Sequence, residues 1–219
     1  MHPEADLNLE LDRGAHACQL FEDPAEQRLV TLRFIKDGLS RRERCVHITT
    51  EPSVDDWYRG LEAAGIDVVS ERQAGSLEVL GAVDWYLKDD FQSVILARRL
   101  WQMIDRDRRV FSGIRITADM RWTLENLLAE ELCHWEATAN LVFEDVDVRV
   151  ICQYDLSYHS VAEIHAALRT HPVVVYQGSP RSNPFYEAPA ILANEPHLNG
   201  SDADAADIEA MLGRLRQTT

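Results

Sequence analysis

The stretch that decides the fold is residues 17–51, which read ACQLFEDPAEQRLVTLRFIKDGLSRRERCVHITTE. An apolar strand is predicted over residues 18–21, followed by a polar turn over residues 22–27. A helix is predicted over residues 28–39, and a second apolar strand over residues 45–50. This order of strand, turn, helix and strand is typical of the opening unit of a nucleotide-binding α/β fold.

The turn after the first strand lacks the residues that hold a nucleotide phosphate. A phosphate-binding loop needs glycines for close backbone approach, a lysine for charge and a serine or threonine for magnesium. Residues 22–27 read EDPAEQ, with no glycine or lysine and with three carboxylates that would repel a triphosphate. This turn argues against nucleotide hydrolysis and favours a sensor over a motor or a kinase. Weak nucleotide binding stays open, because backbone amides alone can hold a phosphate at the start of a helix.

The composition predicts one sizeable cytoplasmic domain. The chain has 219 residues, 46% of them hydrophobic, and a formal net charge of -15. Such a charge argues against direct binding to nucleic acid or to an anionic membrane. No apolar run reaches the roughly 18–20 residues that span a bilayer, and the acidic N-terminus is unlike a signal peptide. The four cysteines lack a paired spacing, so we expect reduced, mostly buried thiols.

Strands and helices alternate along the rest of the chain, which predicts a mostly parallel sheet with helices on both faces. We expect an N-terminal lead-in over residues 1–15, a single domain over residues 16–195, and an acidic linker with a short helix over residues 196–219. The further predicted strands are residues 66–70, 76–80, 113–117, 148–154 and 173–177, and the further predicted helices are residues 54–64, 91–109, 122–140, 160–169 and 208–216.

Three acidic residues follow predicted strands. Glu51, Asp119 and Asp155 each stand at or just after a strand end. In open α/β sheets ligands bind beyond the carboxyl ends of the strands, so these side chains could meet in one cluster. Such a cluster could bind a cation or act as acid and base. The alternative is that each carboxylate only caps the next helix or turn.

Further residues at the same edge complete the predicted ligand site. Trp122 begins a helix close to Asp119, where an aromatic ring suits an apolar or planar ligand, although core packing would also explain it. Arg115 alternates with isoleucines inside a strand and is either a ligand contact or half of a buried ion pair. The predicted ligand-binding residues are Glu51, Arg115, Asp119, Trp122, Tyr154 and Asp155.

The segment after the last predicted strand carries aromatic residues in an irregular context. Proline restricts the residue before it to an extended or turn conformation, so the aromatic residues that follow must dock on something apolar. We expect a lid over the sheet edge or a surface for a partner protein, with a plain structural clasp as the alternative. The residues concerned are His171, Asn183, Pro184, Phe185 and Tyr186.

The histidines show no spacing that predicts a metal site. Metal-binding sequences usually carry two ligands a few residues apart, and a zinc site here would need convergence over long sequence distances. We therefore predict no metal, no cofactor and no catalytic residue from the sequence. The histidines considered are His16, His47, His159, His165 and His171.

Seven stretches carry a family resemblance. They are HACQLF at 16–21, FIKDGL at 34–39, CVHITTE at 45–51, IRITADM at 114–120, ICQYD at 151–155, HP at 171–172 and NPFY at 183–186. Their order and spacing resemble the MEDS domain, the sensory domain of the methanogen and methylotroph DcmR type, which is a degenerate relative of KaiC/RecA-like ATPases. The resemblance implies a RecA-like three-layer α/β/α sandwich without a functional P-loop, and a role in sensing small, often hydrocarbon-like compounds within regulators.

Three functional hypotheses follow from the residues and the resemblance. The first is a non-enzymatic sensor that binds a small molecule and signals through a partner, such as a kinase, a sigma-factor regulator or a transcription factor. The second is a partner-switch or anti-sigma-type interaction protein with a vestigial nucleotide pocket. The third is a divalent-cation-dependent enzyme acting on a nucleotide or a related ester. A homodimer is compatible with each.

Overall fold

The computed structural model describes residues 9–50, 54–87, 91–124, 126–192 and 210. Glu51 and the predicted helix over residues 208–216, apart from Ala210, lie outside the described residues. The strands are His16–Phe21 (β1), Arg44–Thr49 (β2), Leu77–Gly81 (β3), Ile114–Asp119 (β4), Val148–Asp155 (β5), Val173–Tyr176 (β6) and Ser179–Ser182 (β7). The α-helices are Pro24–Ser40 (α1), Val54–Ala63 (α2), Val68–Gln73 (α3), Ser93–Asp107 (α4), Ala129–Phe143 (α5), Val161–Thr170 (α6) and Pro189–Leu192 (α7).

A single seven-stranded sheet runs through the described part of the chain, in the order β3-β2-β4-β5-β1-β6-β7. All neighbouring pairs are parallel except β6 and β7, which form an antiparallel hairpin. The predicted α/β class with a mostly parallel sheet is therefore confirmed. Because parallel strands place their carboxyl ends at one edge, the residues after β1, β2, β4 and β5 all come to that edge.

The strands β1, β2 and β4 are buried at every residue, so side chains on both faces of the sheet are covered. One face carries the largest core, where α4, α5 and α6 contact side chains such as Ile116, Val150 and Val174. The other face carries two smaller cores, one built with Phe34 of α1 and the other with Trp57 of α2. Among the described residues, no helix is long and apolar enough to cross a membrane.

The first helix begins earlier than predicted. It starts at Pro24 rather than at residue 28, because Asp23 caps it and proline is favoured in the first turn. The Asp23 Oδ1 accepts a hydrogen bond from the backbone N–H of Ala25 at 2.8 Å. Only Glu22 and Asp23 separate β1 from α1. The connection is thus too short to surround a phosphate, and a carboxylate already occupies the helix N-terminus.

Other segments also differ from the sequence predictions. No strand forms over residues 66–70, because the Asp67 side chain caps the short helix α3, which begins at Val68 and leaves Val69 exposed. The predicted helix over residues 122–140 is interrupted. Asp119 instead caps a 3₁₀ turn over Met120–Thr123, and α5 begins at Ala129, where Glu131 bonds back to the Leu128 N–H. Part of the segment predicted as irregular forms β7.

Candidate functional site

Asp119 is the centre of the polar contacts at the carboxyl edge of the sheet. It ends β4 and is almost fully buried. The Thr50 hydroxyl donates to its Oδ2 at 2.5 Å, and the Arg121 guanidinium donates to both carboxylate oxygens. Burial opposes ionisation of Asp119, but the hydrogen bonds from Arg121 and Thr50 outweigh it and lower the pKa below its usual value. Asp119 is therefore an ion-paired carboxylate that holds Thr50 and Arg121 in place at this edge of the sheet.

A cavity of about 380 Å³ lies beside this pair. Its size falls within the roughly 300–1,000 Å³ range of small-molecule sites, and its walls are mainly apolar. Trp122 forms part of the wall. The lining residues are Thr49, Thr50, Gly81, Ala82, Val83, Leu87, Arg121, Trp122, Leu124 and Asn126.

The predicted site residues do not all meet at this cavity. Asp155 accepts a hydrogen bond from the Ser157 N–H at 2.9 Å, which is the capping role considered as the alternative. Arg115 lies near the start of β4 and forms a buried ion pair with Glu43, the second of its two predicted roles. Glu51 lies outside the described residues. Trp122 thus lines the cavity, and Asp119 bonds to two of its lining residues, Thr50 and Arg121.

Tyr154 belongs to a different, fully buried cluster. Its hydroxyl donates to Glu136 Oε1 at 2.7 Å, and both residues have no solvent exposure. Glu136 lies on the face of α5 that packs against the sheet, with apolar residues such as Leu132 and Trp135 in the same helix. A glutamate in an otherwise apolar helical face was the sequence signal that could have revealed this cluster.

Three more residues with metal-binding side chains surround Glu136. His16 Nε2 lies 3.3 Å and His171 Nε2 lies 3.6 Å from Glu136 Oε2. Cys152 Sγ lies 3.9 Å from the same oxygen and 3.4 Å from His16 Nε2. One ligand atom from each of these four residues lies within 4.8 Å of all the others. We call His16, Glu136, Cys152 and His171 the buried cluster.

The fold brings the buried cluster together from four elements. His16 begins β1, and Cys152 lies on the neighbouring β5, two residues beyond the Val150 that pairs with His16. Glu136 lies in the middle of α5, which packs against α6. His171 ends α6 as its C-cap, and its backbone N–H bonds to the Ala167 carbonyl.

The interior changes the protonation of this cluster. Burial and the nearby His16 lower the pKa of His171 to about 3, so its ring is neutral at pH 7. Burial and the Glu136 charge raise the pKa of the Cys152 thiol well above its usual value. Burial also works to raise the pKa of Glu136, but hydrogen bonds with His16 and Tyr154 outweigh it and lower that pKa. The cluster thus holds a carboxylate that His171 does not neutralise.

Aromatic rings connect the edge cavity to the buried cluster. Trp122 stacks on Tyr86 with 4.1 Å between ring centroids, and Phe91 contacts both Trp122 and Trp135. Trp135 precedes Glu136 in α5 and helps to line a small cavity of about 20 Å³ beside the cluster. That volume suffices for about one water molecule. Packed side chains thus lie between Trp122 and the buried cluster.

The predicted lid segment divides between the surface and the interior. His171 is fully buried in the cluster, so it cannot form part of an exposed lid or docking surface. Asn183 is also buried, and its amide donates to the carbonyls of Leu168 and His171 at 2.6 Å each. Phe185 packs against the main core, whereas Pro184 is exposed and Tyr186 is half-buried. These contacts fit the structural clasp that was considered as the alternative.

The fold and the site together define an α/β domain with an edge cavity and a buried polar cluster. Comparison with known protein families matches residues 15–172 to MEDS, the MEthanogen/methylotroph, DcmR Sensory domain. The chain belongs to this family of sensory domains. A search of curated proteins found no match.

Proposed function

We propose that this protein is a non-enzymatic sensory domain that binds a small, mainly apolar molecule in the edge cavity. The observation that carries the proposal is the cavity of about 380 Å³ at the carboxyl edge, whose mainly apolar walls include Trp122. A compound of a few carbon atoms, such as a short alcohol, aldehyde or haloalkane, fits this chemistry. Membership of a sensory family supports the role.

Nucleotide hydrolysis is less well supported. The β1–α1 connection is short and acidic, and Asp23 caps the helix at the place where a phosphate would bind. Helices on both faces of a parallel sheet are compatible with a RecA-like three-layer sandwich. We propose that relation as the origin of the scaffold, with the phosphate-binding function lost.

The output of the sensor requires a partner in this proposal. We propose that the partner is a regulatory protein, such as a kinase, a sigma-factor regulator or a transcription factor, and that a homodimer can form the signalling unit. The formal charge of -15 favours a protein partner over direct contact with nucleic acid or an anionic membrane. A cytoplasmic location is part of the same proposal.

A thermal-shift and fluorescence titration tests the edge cavity. Short alcohols, aldehydes and haloalkanes are added to the protein, with ATP and magnesium as a separate arm. Binding at 100 times the dissociation constant stabilises a fold by about 2.7 kcal/mol, which raises the melting temperature by a few degrees. We expect at least one apolar compound to produce this shift and to change tryptophan emission, since Trp122 lines the cavity.

Gly81→Val is the variant that connects the shift to the cavity. Gly81 lines the cavity, and a Cβ added there would lie 3.7 Å from Asp84, which is ordinary contact. The larger side chain should narrow the cavity and reduce the shift while the unliganded protein still melts cooperatively. Trp101→Phe, on a half-exposed residue of α4, is the control for the fluorescence signal. An unchanged shift in Gly81→Val, or a shift with ATP and magnesium alone, would reject the proposal.

A further inference from the structure

The two histidines of the buried cluster both direct their Nε2 atom towards Glu136. His171 Nδ1 lies 2.8 Å from the Ala167 carbonyl, a pure acceptor, so this nitrogen carries the hydrogen. In the neutral ring, His171 Nε2 then has a free lone pair, and it has no hydrogen-bond partner among the described residues. This is a fully buried polar atom aimed at the cluster.

The protonation of His16 follows from its contact with Asn140. The Asn140 amide nitrogen donates to the carbonyls of Glu136 and Thr170, which places its Oδ1 towards His16. His16 Nδ1, 3.1 Å away, must therefore be the donor. Its Nε2 is then the ring nitrogen that faces Glu136. Metal-binding histidines characteristically donate their other ring N–H to a carbonyl or carboxylate in this way.

Four of the six distances between the ligand atoms are close to those around a tetrahedral ion, and all six are within 4.8 Å. Metal–ligand distances of about 2.0–2.3 Å imply ligand–ligand distances of roughly 3.3–3.8 Å. The distances from His16 Nε2 to Glu136 Oε2 and to Cys152 Sγ are 3.3 and 3.4 Å. Glu136 Oε2 lies 3.6 Å from His171 Nε2 and 3.9 Å from Cys152 Sγ. A proton on one ring would satisfy one of these contacts, whereas one central cation satisfies all four.

We propose that His16, Glu136, Cys152 and His171 bind one divalent transition-metal ion, with Zn²⁺ the best match to two imidazoles, one thiolate and one carboxylate. On binding, the Cys152 thiol releases its proton to solvent and the thiolate bonds to the metal. Glu136 binds through Oε2, while Tyr154 holds Oε1 by a hydrogen bond. The site is separate from the edge cavity, so this proposal does not rest on the proposed function.

The contacts around the ligands give the site the support that metal centres need. Asn140 and the Ala167 carbonyl orient the two rings, and Tyr154 orients the carboxylate. Loss of such a supporting contact typically weakens metal binding about 10–100-fold. We therefore expect Asn140→Ala to weaken binding by that factor while the ion still binds through the same four atoms.

Cobalt titration of the full-length, untagged protein tests the site. The protein is treated with a chelator under reducing conditions, dialysed, and titrated with Co²⁺ and separately with Zn²⁺. We expect one ion per chain, visible bands of tetrahedral cobalt and a thiolate-to-cobalt charge-transfer band. Zn²⁺ should displace the cobalt and raise the melting temperature by several degrees.

Matched variants assign the ligands. Cys152→Ser should remove the charge-transfer band and weaken binding at least tenfold, whereas Cys133→Ser, at a buried cysteine of α5 outside the cluster, should keep both. Glu136→Gln should also weaken binding at least tenfold. Absence of stoichiometric Co²⁺ binding by the wild type would overturn the proposal even if a variant fails to fold. Retention of the charge-transfer band by Cys152→Ser would overturn it as well. Neither result depends on the apolar compounds, so the two proposals fail separately.

Discussion

At the residue scale, His47 shows how burial fixes a protonation state in this fold. Its Nδ1 lies 2.8 Å from the Thr117 hydroxyl, and its ring lies 4.0 Å from that of Trp57. Burial lowers the pKa of His47 to about 4 from a usual 6.5. The charge of Asp119 opposes this shift, and that of Arg28 adds to it. The native protein therefore keeps His47 neutral at pH values where the unfolded chain would protonate it.

His47 makes the stability of the protein depend on pH. Between pH 6.5 and 4 the unfolded state binds the proton and the native state does not, so stability falls as the pH falls through this window. At 1.36 kcal/mol per pKa unit, the loss is about 3 kcal/mol, and below pH 4 it does not grow further. The buried His171, with a pKa of about 3, adds a loss of its own over the same window. Urea unfolding at several pH values should therefore show a loss in the wild type that exceeds the loss in His47→Gln by about 3 kcal/mol.

The control for this prediction is His134→Gln, at an exposed histidine of α5. That variant should keep the wild-type dependence on pH. The same loss of stability in His47→Gln as in the wild type would show that other groups cause it.

The sequence predicted the edge residues better than the interior ones. Asp119 could be placed at the edge because strand ends are local features and parallel strands end together. The buried cluster could not, since Cys152 lies 136 positions from His16 in the chain. Its assembly depends on β1 pairing with β5 and on α5 covering them. No local spacing encodes that arrangement, and for this reason the histidine pattern alone predicted no metal.

At the scale of elements, Gly38 determines how closely α1 approaches the sheet. A Cβ added at Gly38 would lie 2.6 Å from Cys45 Sγ and 2.7 Å from Arg115 Cδ. Arg115 is held by its buried ion pair with Glu43 and donates to the Phe34 carbonyl at 3.1 Å. Neither neighbour can move freely, so the helix packs against β2 and β4 through a position that admits no side chain.

Gly38→Ala should therefore destabilise the protein even though it improves helix propensity. In an exposed helix the change from glycine to alanine stabilises by roughly 0.5–1 kcal/mol. Overpacking of a close contact typically costs about 1–3 kcal/mol, and we expect this cost to dominate. Thermal or urea unfolding measures the difference. Ser40→Ala, at an exposed position of the same helix, should change stability by less than about 0.5 kcal/mol. A stabilised Gly38→Ala would show that α1 can shift.

The errors in element boundaries have local causes that competed with hydrophobic periodicity. Asp23 and Pro24 are a standard helix start. The polar composition of residues 22–27 favoured a turn instead, and the helix was therefore predicted to begin too late. The predicted helix over residues 122–140 followed its apolar pattern through a region where Asp119 caps a 3₁₀ turn instead. Hydrophobic spacing thus identified the elements, while side-chain caps determined where they begin.

At the scale of the whole molecule, the two proposed sites occupy opposite halves of one sheet. The edge cavity is lined by residues that follow or end β2, β3 and β4. The buried cluster joins β1 and β5 to α5 and α6. Since the strand order is β3-β2-β4-β5-β1-β6-β7, the halves meet where β4 pairs with β5. Binding at each site should therefore protect a different part of the chain.

Hydrogen exchange with and without Zn²⁺ tests this division. A bound ion slows the exchange of amides that become exposed only when the metal site opens. The exchange rate of amides that become exposed through local openings elsewhere stays the same. We expect slower exchange in β1, β5 and the part of α5 around Glu136, and little change in α3 and β3 at the far end of the sheet. Cys152→Ser should lose the response, and Cys133→Ser should keep it. Protection confined to β3 and the cavity residues would mean that zinc binds at the edge. Protection at the buried cluster would show that the ion stabilises the half of the sheet opposite the cavity.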